Sequence, residues 1–492
     1  MPEVRFVDTT LRDGAQSLWA ARLNIDAMLP TVADIDAAGF DGVEFLQPGL
    51  FARHVKDLRE NPWDWLKLGV PLARRTQLRL HGGGTPYFAR AVPSSVRGVL
   101  LDRVVELGIT TTRISDPWND PDALGEERDR LASHGIKSVV NLIYSVSPRH
   151  TTDYYENRAK AIAALKPYRI CFKDVGGLLT PERTRELIPV VLHAAGDVPV
   201  EFHAHSNNGM APLNYVIAAE LGVTIFHTAI PPLASGTSQP SIFGTVQNLE
   251  ALGFTAAIDL APLERVRDHL SYVASVTGMP EGSPTDFDQS LYTHQVPGGM
   301  IAHLAFQLQQ LGMAHRLPEV LAEVARVRAE FGYPIMVTPL SQVVGSQAAI
   351  NVATGKRYGT VTDDVIEYAL GRRGREAVDV MDPGIREQIL DRPRAAELAA
   401  RRPPPEVGLD EVRQRLGASI TDEELILRLY VGDEAGRVYS PAPRAYTATY
   451  DEYRRVYPRG SGLAELATAV ANNPEISRFF LSLGDSSLTI VR

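Results

Sequence analysis

Residues 169–205 read RICFKDVGGLLTPERTRELIPVVLHAAGDVPVEFHAH. They hold one complete structural unit. The β-branched, apolar run 169–175 predicts a strand. Thr180 followed by Pro181 marks a helix start: a hydroxyl cap, then a residue whose missing N–H is not needed in the first turn. Residues 181–194 carry helical spacing, and 199–205 reads as the next strand. The same rhythm extends outward. Eight runs qualify as strands: 4–8, 41–46, 77–82, 110–116, 137–144, 169–175, 199–205 and 224–230. Helix-like stretches such as 32–38, 96–107 and 181–194 lie between them, and Asp120 is placed to cap a helix near Pro121. Eight strands alternating with helices predict an α/β fold, a (β/α)8 TIM barrel, over residues 1–290. A doubly wound open sheet is the rival. It would announce itself by a phosphate loop, and His81-Gly82-Gly83-Gly84 lacks the G-x-G-x-x-G spacing.

From about residue 291 the texture changes. Residues 302–311, 317–331, 363–370 and 395–401 have helical periods, and strand signals nearly vanish. A mainly helical domain is expected over 291–435. Pro403-Pro404-Pro405 marks a break. A tail, 436–492, opens on Ser440-Pro441-Ala442-Pro443 and is rich in Tyr and Arg; no role is assigned to it.

Composition narrows the function. The 492 residues carry 50 Lys+Arg against 59 Asp+Glu, a formal net charge of −9, with 44% apolar and 22% charged residues. That is ordinary for a soluble globular chain, and the acidic balance argues against a nucleic-acid surface. A single cysteine excludes a disulfide framework and a thiolate zinc site, and fits a reducing cytoplasm. The N-terminus has no secretory pattern, and no run of 18 apolar residues suggests a membrane span.

In a barrel, functional groups sit where strands end. The first strand runs into Asp8-Thr9-Thr10-Leu11-Arg12-Asp13-Gly14-Ala15-Gln16. This is either a turn with a capping Asp or a cluster of two carboxylates, an Arg and an amide. His203 and His205, two apart on a strand, point to one face and can reach one ion; they are otherwise a packed, hydrogen-bonded pair. Lys173 and Asp174 end an apolar strand, where charge is costly unless paired or functional. The plain reading is a salt bridge from Lys173 to Asp174 or Asp13. Cys171 reads as a small core residue. Asp13, His203 and His205 form an O/N/N set suited to Zn²⁺ or Mn²⁺ with room for a further ligand. Such a centre polarises a carbonyl and stabilises an enolate.

Several strings resemble a known superfamily, the barrel enzymes that include isopropylmalate synthase, hydroxymethylglutaryl-CoA lyase and the carboxyltransferases of biotin-dependent enzymes. LRDGAQ (11–16) is similar to the shared first motif and His203-x-His205 to the shared metal pair. FKDVGGLLTP (172–181) resembles the carboxyltransferase motif, whose lysine becomes an N-carbamate. YTHQVPGG (292–299), VTPLSQVVG (337–345), SGTSQPS (235–241) and YSVSP (144–148) are similar to strings of pyruvate carboxylase, oxaloacetate decarboxylase and transcarboxylase. The resemblance implies a divalent metal (zinc, manganese or cobalt) held by Asp13, His203, His205 and carbamylated Lys173. It places Arg12 and Gln16 at the substrate or biotin pocket and makes Thr338 the proton shuttle between the acceptor carbon and biotin. The acceptor is expected to be a small enolisable compound such as a 2-oxo acid, pyruvate, oxaloacetate or a variant. The 291–435 region would form a helical funnel over the mouth.

Two places depart from the pattern. Arg79 is the candidate acceptor-binding Arg, but its spacing to Tyr87 is off by one. Ala52 stands where an Asp is expected. An acceptor other than pyruvate follows as an expectation. No Ala-Met-Lys-Met biotin-attachment string and no ATP-grasp signature occur, so biotin would arrive on a separate carrier protein, loaded by a separate biotin carboxylase subunit. The resemblance also implies a homodimer. A metal-dependent lyase or Claisen-type synthase is the alternative within the superfamily; a non-catalytic organising subunit is the alternative outside it.

Overall fold

A computed structural model of the chain describes residues 2–83, 92–296, 301, 304–305, 308–309, 312–401, 406–439, 444–459, 470, 478–483 and 486–491. Eight parallel strands close into a barrel: β1 Glu3–Asp8, β2 Gly42–Leu46, β3 Leu78–His81, β4 Thr111–Ile114, β5 Lys137–Ile143, β6 Arg169–Asp174, β7 Val200–Ala204 and β8 Ile225–Thr228. β1 pairs with both β8 and β2, which completes the ring. A two-residue strand, β9 Thr255–Ala256, extends β1 at its start. The expected TIM barrel is the observed fold. Helices cover its outside, so the strands are buried almost throughout, which is why they read as apolar runs rather than alternating ones. The predicted caps form: the Thr180 hydroxyl accepts from the Arg183 N–H at 3.1 Å and the Asp120 carboxylate from the Asp122 N–H at 3.0 Å.

The barrel interior departs from the usual branched aliphatic filling. Glu44, Arg79, Arg113, Glu201 and His227 are all fully buried there. Fully desolvated charges survive only when paired. Arg79 donates to Glu201 at 2.8 Å and to Asp41 at 3.1 Å, and Arg169 donates to Glu201 at 2.8 Å.

Among the described residues there are two apolar cores. One belongs to the barrel. The other joins Trp118, from the loop after β4, to Val296, Val324, Phe331, Val344, Tyr368 and Leu398, all on the segment beyond the barrel. Helices Leu317–Glu330 and Leu340–Thr354 build this second core. Residues 302–303, 306–307 and 310–311 of the expected helix 302–311, and Pro403-Pro404-Pro405, lie outside the described residues. The helices Leu409–Leu416 and Asp422–Val431, grouped by sequence with the funnel, pack instead on the barrel core through Val412, Leu425, Ile426 and Leu427.

The tail is tied down. Asp26 accepts from the Thr447 N–H at 2.8 Å and from the Tyr457 hydroxyl at 2.9 Å; Tyr446 donates to Asp64 at 3.0 Å and Tyr450 to Asp34 at 2.7 Å. Tyr446, Tyr450 and Tyr457 are half-buried and bond by their hydroxyls. Beyond it, Arg478–Leu483 and Ser486–Val491 pair as an antiparallel hairpin, which the reading of a strand-poor C-terminal half did not anticipate.

Candidate metal centre

Register assembles the site. β6 and β7 pair so that Lys173 lies opposite His203. After β1 the chain makes a wide, π-helical turn, Thr10–Gly14, that runs into the helix Ala15–Trp19 and delivers Asp13 to the same strand ends. Gly14 is required there: a Cβ would stand 2.7 Å from the Leu233 carbonyl oxygen. Gly177, with φ +65°, lets the turn after β6 pass the His205 carbonyl, which a Cβ would approach to 2.8 Å.

The ligand atoms of Asp13, His203 and His205 all lie within 4.8 Å of one another. Asp13 Oδ2 is 3.5 Å from His203 Nε2, and Asp13 Oδ1 is 3.8 Å from His205 Nε2. His205 Nδ1 meets the Thr237 carbonyl at 2.6 Å, so its proton is on Nδ1 and Nε2 keeps a lone pair. The Gln239 side chain points its amide nitrogen at His205 Nε2 (3.1 Å) and at His203 Nε2 (3.4 Å), while its oxygen accepts from Thr9 Oγ1 at 2.7 Å. The Nε2 atoms of both imidazoles thus converge on one amide nitrogen.

Protonation suits a cation. Burial would raise the Asp13 carboxyl, but Arg12, His205 and Lys173 outweigh it and hold it well below the usual range. Burial, reinforced by Arg113 and Lys173, lowers His203 strongly, and burial lowers His205. One ionised carboxylate and two neutral imidazoles are the forms that bind metal. The donor set therefore fits a borderline divalent ion with an open position.

Lys173 is buried, and burial followed by Arg113 pulls its ammonium down to about 8. Neither expected salt bridge forms within 4 Å among the described residues. Asp174 instead accepts from the Leu178 and Leu179 N–H groups at 3.0 and 2.8 Å and shapes the turn. Arg12 donates to Asp13 at 2.8 Å and to Glu44 at 2.7 Å, and reaches Gln16 at 3.4 Å. Arg113 pairs with Glu44 at 2.5 Å and lies 3.6 Å from Asp13. Thr338 sits in the turn before Leu340–Thr354, partly exposed, and no hydrogen bond joins it to these groups among the described residues. Gln295 and Arg328 clamp the second core to the barrel mouth: Gln295 donates to the Val146 carbonyl at 2.6 Å, and Arg328 donates to Ser145 Oγ at 3.0 Å.

Arg79 does not face this site. It is the second residue of β3 and spends its guanidinium on Glu201 and Asp41 at the barrel floor. The acceptor-binding assignment fails because alternation gives Arg79 and His81 the same interior face, and only the later one reaches the strand's C-terminal end. His81 is buried, Arg12, Arg113 and Lys173 add to the burial that lowers its pKa, and its Nδ1 has no hydrogen-bond partner. Tyr87 lies outside the described residues. Arg79→Met is expected to cost about 3–5 kcal/mol of stability, because it leaves buried Glu201 short of a cation. Urea unfolding checks this; unchanged stability with a raised acceptor KM would reverse the assignment.

A second cluster, Cys171, Glu201 and His227, also brings ligand atoms within 4.8 Å. It is already saturated. Glu201 is held by two arginines and His227, the Arg113 guanidinium faces Cys171 Sγ at 3.7 Å, and burial pushes the thiol up to about 12. Sequence reasoning missed Glu44, Arg113, His81, His227 and Gln239. For Glu44, Arg113, His81 and His227 the signal is charge or imidazole within a strand run; Gln239, an amide in the loop after β8, carries none.

Residues 291–441 match a family model described as a conserved carboxylase domain. The chain is 33% identical over 390 residues to a pyruvate carboxylase subunit of Methanocaldococcus jannaschii, covering 79% of this chain and 68% of that one. It is 31% identical over 385 residues to the methylmalonyl-CoA carboxyltransferase 5S subunit of Propionibacterium freudenreichii, covering 78% and 76%. The carboxyl transferase domain of a Rhizobium etli pyruvate carboxylase variant, solved with pyruvate, superposes with a TM-score of 0.81 at 23% identity, covering 99% of this chain and 84% of that one; this likeness bears on the fold.

Proposed function

Because the chain belongs to the biotin-dependent carboxyltransferase family, together with the archaeal pyruvate carboxylase subunit and the methylmalonyl-CoA carboxyltransferase 5S subunit, we propose a division of labour among its residues. The chain is an enzyme, the carboxyltransferase component that moves a carboxyl group between carboxybiotin and a small acceptor. The single observation that carries the mechanism is the convergence of Asp13, His203 and His205 beside Lys173 at the strand ends.

Asp13, His203 and His205 would hold a divalent ion, zinc, manganese or cobalt, which when bound supplies a Lewis acid for the acceptor's carbonyl oxygen. Lys173 would be a further ligand as its carbamate: its neutral amine adds to CO₂ and loses a proton, turning a cationic group into an oxygen donor. Arg12 fixes Asp13 and, with Gln16, would line the substrate pocket. The segment beyond the barrel excludes water from the mouth, held there by Gln295 and Arg328. The Thr338 hydroxyl would move a proton between the acceptor carbon and the ureido nitrogen of biotin. Thr338→Ala is expected to retain fold and metal and to lower carboxyl transfer by roughly 10²–10⁴-fold, the range for a general acid–base group; near-normal transfer would remove Thr338 from the mechanism.

Partners follow from the same reading: a biotin carrier protein, a biotin carboxylase subunit and a second copy of this chain, in the cytoplasm. No helix among the described residues is long and apolar enough to cross a membrane. On the acceptor side, a neutral imidazole at His81 and no free guanidinium among the described strand-end residues support an acceptor other than pyruvate. Carboxylation of a panel of 2-oxo acids, CoA thioesters and amides tests this. Preference for a compound other than pyruvate is expected, and turnover of pyruvate alone would sink it.

A further inference from the structure

The polar column under the metal site does more than fill the barrel. His203 Nδ1 lies 3.1 Å from His227 Nδ1, and His227 Nε2 lies 2.8 Å from Glu201 Oε2. All three side chains are fully buried. Glu201 is in turn gripped from below, by Arg79 on both oxygens at 2.8 and 3.0 Å and by Arg169 at 2.8 Å. These contacts run unbroken from the barrel floor to the proposed ligand.

We propose that Glu201 and His227 are positioning residues, a dyad that fixes the tautomer and ring angle of His203 so that its Nε2 lone pair faces the metal. The argument is proton accounting. A carboxylate held by two guanidinium groups is an acceptor only, so the proton between Glu201 and His227 belongs to His227 Nε2. A neutral imidazole has one N–H, which leaves a lone pair on His227 Nδ1. The 3.1 Å contact between the two Nδ1 atoms holds one proton, and it must then come from His203. His203 is left with a lone pair on Nε2, the atom that faces Asp13 and the Gln239 amide. Metal-bound histidines usually donate their second N–H straight to a carboxylate or carbonyl. Here another imidazole is interposed, and the carboxylate sits one residue deeper, within reach of the floor arginines. Arg79, unsuited to the acceptor, anchors this chain.

The inference rests on the proposed metal site, and its test separates the two. The full chain, metal-free and ¹⁵N-labelled at histidine, is examined by long-range ¹H–¹⁵N spectroscopy, with His203 assigned from His203→Gln. Its Zn²⁺ affinity is measured by chelator competition. In the wild type, His203 is expected to be protonated at Nδ1. His227→Leu removes the acceptor and is expected to weaken Zn²⁺ binding about 10–100-fold, the usual effect of losing a ligand's orienting partner. His227→Asn keeps an acceptor near the position of Nδ1 and should stay within about threefold of wild type. A wild-type His203 protonated at Nε2, or a folded His227→Leu that binds Zn²⁺ normally, overturns the proposal. Should His227→Leu not fold, the wild-type tautomer and His227→Asn decide, and a loss of about tenfold or more in the latter overturns it. Normal Zn²⁺ binding without carboxyl transfer would count against the proposed function and leave the dyad standing.

Discussion

Lys173→Ala is expected to abolish carboxyl transfer, by about 10³-fold or more, in a protein that remains folded. The side chain stands opposite His203 in the β6–β7 register, buried, with no carboxylate within 4 Å among the described residues. A lysine that stabilised the barrel would be ion-paired. This one lies near Arg113, which adds to the burial in lowering its pKa to about 8. Removing it therefore relieves repulsion and opens a small space, neither of which unfolds a barrel with this much core. On the proposed carbamate role a metal ligand is lost, and several kcal/mol of transition-state stabilisation correspond to that fall in rate. Carboxyl transfer and bound metal are measured together on the variant, with unfolding as the control. Unchanged transfer would refute the carbamate role.

Asp13→Asn should empty the site. Of Asp13, His203 and His205, only Asp13 brings a negative charge, and Arg12, His205 and Lys173 surround it with positive or polar groups that favour the charged form. An amide of the same shape keeps the turn and can still accept from the Ser17 hydroxyl, which donates to Asp13 Oδ1 at 3.2 Å, but presents no charge to a cation. Metal affinity is expected to drop by more than about 10²-fold, beyond the range seen for orienting partners alone. The loss should be read by metal analysis after dialysis. Full occupancy in Asp13→Asn would place the ion elsewhere.

Much of this is legible in the sequence because the features are local. The eight strands fall within about two residues of their observed ends, since apolar runs between capped helices leave few other choices. Asp13, His203 and His205 stand out because i, i+2 spacing and strand-end position are sequence properties. Arg79 is misplaced for a related reason: alternation gives its face, but only strand direction tells floor from mouth. Arg113, Glu44 and His227 escape notice altogether. Glu44 and His227 are single polar residues in apolar runs and Arg113 follows three threonines, and only closure of the ring brings their partners from other strands. The packing of 409–431 and of the tyrosine-rich tail on the barrel rests on contacts hundreds of residues apart in sequence, such as Asp26 with Tyr457. The C-terminal hairpin is readable, for Gly484-Asp485 separates two β-rich runs in the manner of a two-residue turn.

The central claim is that the cluster at the end of β1, β6 and β7 is the metal centre of a carboxyltransferase. It is tested most directly by the metal content of the purified full chain, followed through chelation and reconstitution with carboxyl transfer monitored. The account predicts close to one divalent ion per chain, loss of transfer when it is removed and recovery when it is restored. A chain that carries no metal, or that transfers carboxyl groups equally well after chelation, would contradict it.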